Sequence, residues 1–462
     1  MSLLIKNGYV VTPEKIAIAD LYVEHDTIAA IGENLTQRAD KSIDASGNYV
    51  IPGGIDAHTH LEAPVGGTVS SDDFETGTRA AAFGGTTCII DFATQSKGQS
   101  LHEAYELWRK KGKKAALDFG LHMIVVDIGE GRIEELDDLV EEGVTSFKLF
   151  TAYPGALMVD DATILQVMLR AGKKGALVAV HAENGSAIEY LVRKALLGGR
   201  TAPIEHALTR PSITEAEAVH RVIALARIAD VPVYIVHVSC EESLEEMSRA
   251  RKKGIAVFGE TCPQYLLLTQ EELQRPNFEG AKFVLTPPLR GHADQEALWK
   301  GLQSDDLQVV STDHCPFLFE TQKRAGLNDF TKIPNGGPGI ENRLQLLYHY
   351  GVNQGRFSVN RWVELVSANP AKLFGLYPKK GILRVGSDAD IVIWNPNRKH
   401  TISAASHHMR VDYSLYEGME VQGNAETVIS RGEIIMNQNT WSAKPGRGRY
   451  LKRSCFGAAW GG

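Results

Sequence analysis

Apolar residues fall into short runs along most of this chain, and the spacing of the runs changes twice. Up to about residue 52 they alternate or cluster in threes and fours between turns at Asn7-Gly8, Thr12-Pro13 and Ser46-Gly47, the spacing of short β-strands. From Pro52 the runs alternate with stretches of helical period. Eight runs predict strands, near Ile55–His60, Thr86–Phe92, Ala116–Val126, Val144–Phe150, Ala176–His181, Val233–Val238, Ala256–Thr261 and Leu307–Ser311. Between them the pattern predicts helices such as Asp72–Ala82, Ser100–Lys111, Arg132–Glu142, Asp161–Lys173, Ser186–Leu197, Thr214–Ala229 and Cys240–Lys253. Strands that alternate with helices build a parallel sheet, and eight repeats favour a (β/α)8 TIM-type barrel over an open sheet. After a helix around Ser358–Phe374, short strands and tight turns return from Gly381 and continue to Met436.

This reading divides the chain into a β segment over 1–52, a barrel over 53–377, a second β segment over 378–436 and a tail over 437–462. The two β segments flank the barrel and are expected to pair as one discontinuous β-sandwich, since chain termini commonly lie close together. The Gly- and Arg-rich end, Lys444 to Arg453, reads as a solvated tail or as an arm packed on a neighbouring subunit.

Composition narrows the field. A chain of 462 residues accommodates one large barrel with a smaller attached domain. A net charge of −7 with both signs interspersed gives no basic footprint, which argues against nucleic acid or an anionic membrane surface as partner. No apolar stretch approaches the ~18 residues of a membrane span, and the N-terminus lacks a signal-peptide pattern. The five cysteines are widely spaced without Cys-x-x-Cys, so neither a disulfide framework nor a thiolate zinc site is expected. A soluble, cytoplasmic protein is the expectation.

Candidate chemistry sits where the predicted strands end, the face on which such barrels carry their active sites. His58 and His60 are one residue apart at the end of the first run, a spacing that lets two imidazoles on one side of a strand reach one metal ion. His181 and His237 end the fifth and sixth runs, and Asp313 follows the eighth. Lys148, in Phe147-Lys148-Leu149-Phe150, places an amine in an apolar strand, where an unpaired charge is very costly. It could be an ion-pair partner, a Schiff-base amine or a carbamate formed with carbon dioxide. A Schiff base leaves the histidines without a role. A carbamate supplies the negative charge that four histidines and one aspartate lack, and would bridge two divalent cations ~3.5–4 Å apart. Asp313 could bind one ion and accept the proton of an attacking, metal-bridging water. Tyr153, in the loop after the lysine strand, could donate to an oxyanion. His314 should face the opposite side from Asp313, Cys315 reads as a structural thiol, and Asp91 could support a ligand histidine. The loop Asn335-Gly336-Gly337-Pro338-Gly339 lacks nucleotide-binding spacing and could expose backbone groups to a ligand.

These residues, with Pro52 to His60, Lys148 to Gly155, His181-Ala182-Glu183-Asn184, His237-Val238-Ser239, Glu260 to Leu266, Ser311 to Pro316, Asn335 to Arg343 and His408 to Tyr413, make the chain resemble the cyclic amidohydrolases of the amidohydrolase superfamily, within them the hydantoinase and dihydropyrimidinase branch. The resemblance spans almost the whole length. It implies one ion, usually zinc, on His58, His60, Lys148 and Asp313, and a second on Lys148, His181 and His237, with Lys148 as N6-carboxylysine. It further implies Tyr153 as oxyanion donor, ring contacts from backbone groups near Thr286 and Asn335, and a homotetramer acting on a small cyclic ureide or imide. Relatives commonly carry serine at the position of Thr286; threonine keeps the backbone groups and the hydroxyl. The rival activities are those of dihydroorotases and allantoinases, and a scaffold of the collapsin-response-mediator type is disfavoured because all six ligand positions are kept. Dihydroorotases typically place an arginine two residues after the second histidine, where this chain has Glu62, a carboxylate expected to repel a carboxylated ring. Pro64, Val65, Ala156 and Leu157 are expected to form apolar walls that tolerate hydrophobic ring substituents.

Overall fold

The computed structural model describes residues 2–129 and 131–457. Eight parallel strands run in unbroken order: Gly54–Thr59, Thr86–Thr94, Asp118–Ile124, Ser146–Phe150, Leu177–His181, Val233–Ile235, Val257–Thr261 and Val309–Val310. Each lies within one of the eight predicted runs or departs from it by no more than two residues at an end. The seven helices named between the strands follow the periodicity to within three residues at an end. Asp161–Lys173 coincides with its predicted range, capped by Asp160, whose carboxylate accepts the Thr163 N–H. Leu101–Lys111 opens on a reciprocal cap between Ser100 and Glu103. His292–Gln303, which precedes the eighth strand, was not among the helices named from the pattern.

The sheet nearly closes on itself. Between the first and eighth strands a parallel bridge joins Thr59 to His314, and the Asp56 carboxylate accepts the Thr312 N–H at 3.2 Å and its hydroxyl at 2.6 Å. Below them the buried Arg343 guanidinium donates to the carbonyls of Ile55 and Val310, each at 2.9 Å. Ionic and side-chain contacts thus replace the ladder that the two-residue eighth strand is too short to make.

Alternation decides what enters the barrel. Cys88 and Ile90, Leu177 and Ala179, and Val309 pack together in its interior. The intervening Ile89, Val178, Val180 and Val310 face the surrounding helices. The floor is plugged by Leu373, Phe374 and Leu376 from the end of the helical run Val359–Leu373, and by Leu451.

The N- and C-terminal β segments share one nine-stranded sheet, in which Tyr49–Pro52 pairs parallel with Ser2–Val11 and antiparallel with Ile391–Thr401. This sheet folds over its own apolar core as the discontinuous β-sandwich beside the barrel. The solvated-tail reading does not hold for the stretch from Arg447 to Phe456. Leu451 and Arg453 are buried, and Arg453 donates to the Leu121 carbonyl at 2.5 Å and the Ser146 hydroxyl at 2.8 Å. Glycine-rich sequence lets this segment lie flush on the barrel floor, where Arg447 donates to the carbonyls of Ala116 and Ser430, while the exposed Arg449 pairs with Asp26 at 2.9 Å. Residues 458–462 of the tail lie outside the described residues. No helix among the described residues is long and apolar enough to cross a membrane.

Candidate active site

Lys148 and His181 reach the mouth of the barrel by the strand alternation itself. Ser146, Lys148 and Phe150 share one face, and Leu177, Ala179 and His181 another. His58, His60 and His237 arrive differently. Ile55 and Ala57 already point into the interior, so plain alternation would turn His58 and His60 outward. A bulge prevents it: between the pairs Asp56–Ile89 and Thr59–Asp91, three steps along the first strand face two along the second. One extra residue inverts the alternation and swings both imidazoles inward. At His237, next to the inward Val236, a backbone φ of +39° does the same. Tyr153 and Asp313 also sit at positive φ, +66° and +52°. Such strained positions in non-glycine residues cluster at functional sites.

All nine sequence-predicted residues line one cavity of about 520 Å³ at the barrel mouth: His58, His60, Lys148, Tyr153, His181, His237, Thr286, Asp313 and Asn335. Pro64, Val65, Ala156 and Leu157 form part of its wall. His58 Nε2, His60 Nε2 and Asp313 Oδ1 are mutually 3.2 Å apart. Three ligands each about 2.0–2.1 Å from a tetrahedral ion must lie ~3.3 Å from one another. His58, His60 and Asp313 therefore form a group that can hold a metal ion. Beside them, His181 Nδ1 faces His237 Nε2 at 2.8 Å.

Two carboxylates that the strand-end reasoning missed fix the imidazoles. Glu260 contacts His58 Nδ1, and Glu183 Oε2 lies 2.7 Å from His181 Nε2. A carboxylate on one ring nitrogen takes its N–H and leaves a lone pair on the other, here the nitrogens that face the cavity. The signal was available: Glu260 shares the inward face of Phe258, and Glu183 follows His181 by two. Burial pushes the pKa of His58 and His237 well below the ordinary imidazole value, which keeps them neutral. Burial also raises Asp313, but His58, His60 and the Lys148 charge more than offset it and hold the carboxyl ionised. Lys148, above the rings of Phe92 and Phe150, is lowered by burial to about 7 against the pull of Asp313 and Glu260. Burial pushes the Tyr153 phenol up to about 12, so it stays a donor, with the side chains of Thr286 and Asn335 facing its oxygen.

Other expectations need correction. Among the described residues Asp91 hydrogen-bonds to no imidazole; it accepts from the Thr59 hydroxyl at 2.7 Å and the Leu61 N–H at 2.9 Å, gripping the chain on either side of His60. Glu62 does not line the cavity; its backbone turns at φ +51° and its carboxylate pairs with Lys114 at 3.2 Å. Direct repulsion of a carboxylated ring is therefore not its role. His314 faces away as expected, its Nε2 3.0 Å from Asp72.

A parallel α/β barrel with imidazoles, a carboxylate, a buried amine and a phenol converging at the C-terminal ends of its strands is the framework of a hydrolytic enzyme. Residues 49–435 match the sequence model of the Amidohydrolase family, and the chain belongs to that family. It is 51% identical over 457 residues to a D-hydantoinase of Streptomyces coelicolor, covering 98% of each chain. It is also 51% identical over 460 residues to a D-hydantoinase of Geobacillus stearothermophilus, covering 99% of this chain and 98% of that relative. Among solved structures, dihydropyrimidinase from Brevibacillus agri NCHU1002 superposes with a TM-score of 0.98 at 50% identity, over 99% of both chains.

Proposed function

We propose that this protein hydrolyses the amide bond of small cyclic ureides and imides, opening 5-substituted hydantoins or dihydropyrimidines to N-carbamoyl amino acids. The observation that carries the reading is the 3.2 Å triangle of His58, His60 and Asp313 in one cavity with Lys148, the His181–His237 pair and the Tyr153 phenol. The names of its relatives point the same way. His58, His60, Lys148 and Asp313 would hold one divalent ion, and Lys148, His181 and His237 a second, both most simply zinc. Such ions supply a Lewis acid and lower the pKa of water toward neutrality. Lys148 would serve both ions as N6-carboxylysine. Burial favours its neutral amine, the form that adds to carbon dioxide and releases a proton to give the carbamate.

The chain's own groups then divide the work. Backbone groups near Thr286 and Asn335 grip the ring amide and imide, and the protonated Tyr153 phenol donates to the oxyanion that develops on the attacked carbonyl. Asp313 accepts the proton of the attacking water and passes it to the leaving ring nitrogen, so the amide nitrogen departs neutral. The apolar wall of Pro64, Val65 and Leu157 faces the ring substituent. A cytoplasmic homo-oligomer, a tetramer as in the resembling family, completes the reading.

The test is substrate profiling of the metal-analysed protein on hydantoin, dihydrouracil, dihydroorotate and allantoin, with Lys148→Ala as control. Turnover of either of the first two, lost with bound metal in the variant, is expected. Turnover of only dihydroorotate or allantoin would overturn the substrate assignment, and full metal and activity in Lys148→Ala the carbamate.

A further inference from the structure

Lys323 is fully buried, and no carboxylate pairs with it among the described residues. Its Nζ instead donates to two carbonyls, that of Val284 at 2.8 Å and that of Gly336 at 2.7 Å. Those carbonyls belong to separate segments. Val284 stands two residues before Thr286, and Gly336 directly follows Asn335. The segments also touch each other, the Gly336 N–H donating to the same Val284 carbonyl at 3.1 Å. Gly336 is held on all sides: its φ is +142°, and a Cβ there would lie 2.3 Å from the Cys315 carbonyl. Thr286 and Asn335 line the cavity, and both side chains face the Tyr153 oxygen.

A methionine would fill the same space without burying an amine, so packing alone gives no reason for lysine here. We propose that Lys323 is a positioning residue that bolts the Thr286 segment to the Asn335 segment, and so sets the ring grip and the orientation of the Tyr153 phenol together. Its partners are carbonyls, so a neutral amine, with two N–H groups, serves as well as an ammonium. Burial lowers Lys323 to about 7, which makes both forms accessible without loosening the bolt. The kinetic side of this inference rests on the ring-opening activity proposed above; the bolt itself does not.

The test is a double-mutant cycle on hydantoin with Lys323→Met, Tyr153→Phe and the combined variant, with metal content measured throughout. Lys323→Met keeps the apolar stem as far as Cε and removes the donors. It should raise KM and lower kcat, for a loss on the order of 10²-fold in kcat/KM at unchanged metal content. In the Tyr153→Phe background the further loss should shrink to about tenfold or less, because one of the groups being positioned is already gone. Losses that multiply fully, or a kcat/KM for Lys323→Met within about threefold of wild type, would overturn the proposal. If the methionine variant does not fold, Lys323→Gln, which ends at the same side-chain position as methionine but is still a donor, takes its place in the cycle. Hydrogen exchange at the Gly336 amide is the readout independent of activity: faster exchange there, with the rest of the barrel unchanged, is expected. Unchanged exchange would sink the bolt whatever the substrate proves to be, whereas a wild type inert on both hydantoin and dihydrouracil would sink only the proposed activity.

Discussion

At the residue scale, the chemistry of His58 depends on which of its nitrogens carries hydrogen, and Glu260 decides this. Its carboxylate takes the Nδ1–H, Tyr234 donates to its other oxygen at 3.1 Å, and Nε2 is left as a lone pair toward His60 and Asp313. Glu260→Gln keeps the shape, but its amide can turn its NH2 toward His58 and stabilise the wrong tautomer. Metal affinity measured by chelator competition should fall on the order of 10–100-fold, while kcat at saturating metal falls less. An unchanged affinity would mean that the tautomer is set elsewhere. The same reasoning explains why sequence patterning picked out the candidate ligands and passed over their supports. A histidine at a strand end announces itself, whereas Glu260 and Glu183 read as ordinary polar residues until the ring beside each one is known.

At the scale of elements, the eight strands were legible because each is a short apolar run between helical stretches, and the barrel followed from their number. Lys148 and His181 stand where alternation along their strands puts them. His58, His60 and His237 were found as residue types at strand ends, but what aims them inward, the bulge after Asp56 and the positive φ of His237, leaves no mark in the apolar pattern. Nor does the seam. Arg343 comes from a segment read only for its resemblance, yet it joins the first and eighth strands just below the ligands that both carry. Arg343→Met would leave the carbonyls of Ile55 and Val310 buried without donors, at about 1–3 kcal/mol each. A loss of roughly 3 kcal/mol in urea unfolding is expected, with weaker metal binding because His58 and Asp313 stand on opposite sides of the loosened seam. A loss below about 1 kcal/mol would show that Asp56 and Thr312 hold the seam unaided.

At the scale of the molecule, the barrel has a chemical end and a structural end, and the structural end is ionic. Lys380, buried where sandwich meets barrel floor, lies 2.9 Å from Asp118, 3.0 Å from Asp388 and 2.6 Å from Asp390. Asp118 begins the third barrel strand, and Asp390 directly precedes the sandwich strand Ile391–Thr401. Lys380→Met would strand three carboxylates with, among the described residues, Arg431 as the remaining paired cation, 3.1 Å from Asp118, a change of the kind that costs about 3–5 kcal/mol. The cost should depend on pH. Burial already raises Asp390 with Lys380 in place, and without the lysine it would rise further, while Asp118 would lose the nearest charge that holds it down. A group whose folded pKa is raised binds more protons folded than unfolded, so acidification stabilises the fold that contains it. The melting-temperature gap between wild type and Lys380→Met should therefore narrow from pH 7 to pH 5, while kcat and KM, measured well below either melting temperature, stay near wild type because the cavity lies at the opposite end of the strands. A gap that widens on acidification would contradict the charge argument. A parallel loss of kcat would show instead that the floor and the mouth of this barrel are mechanically coupled.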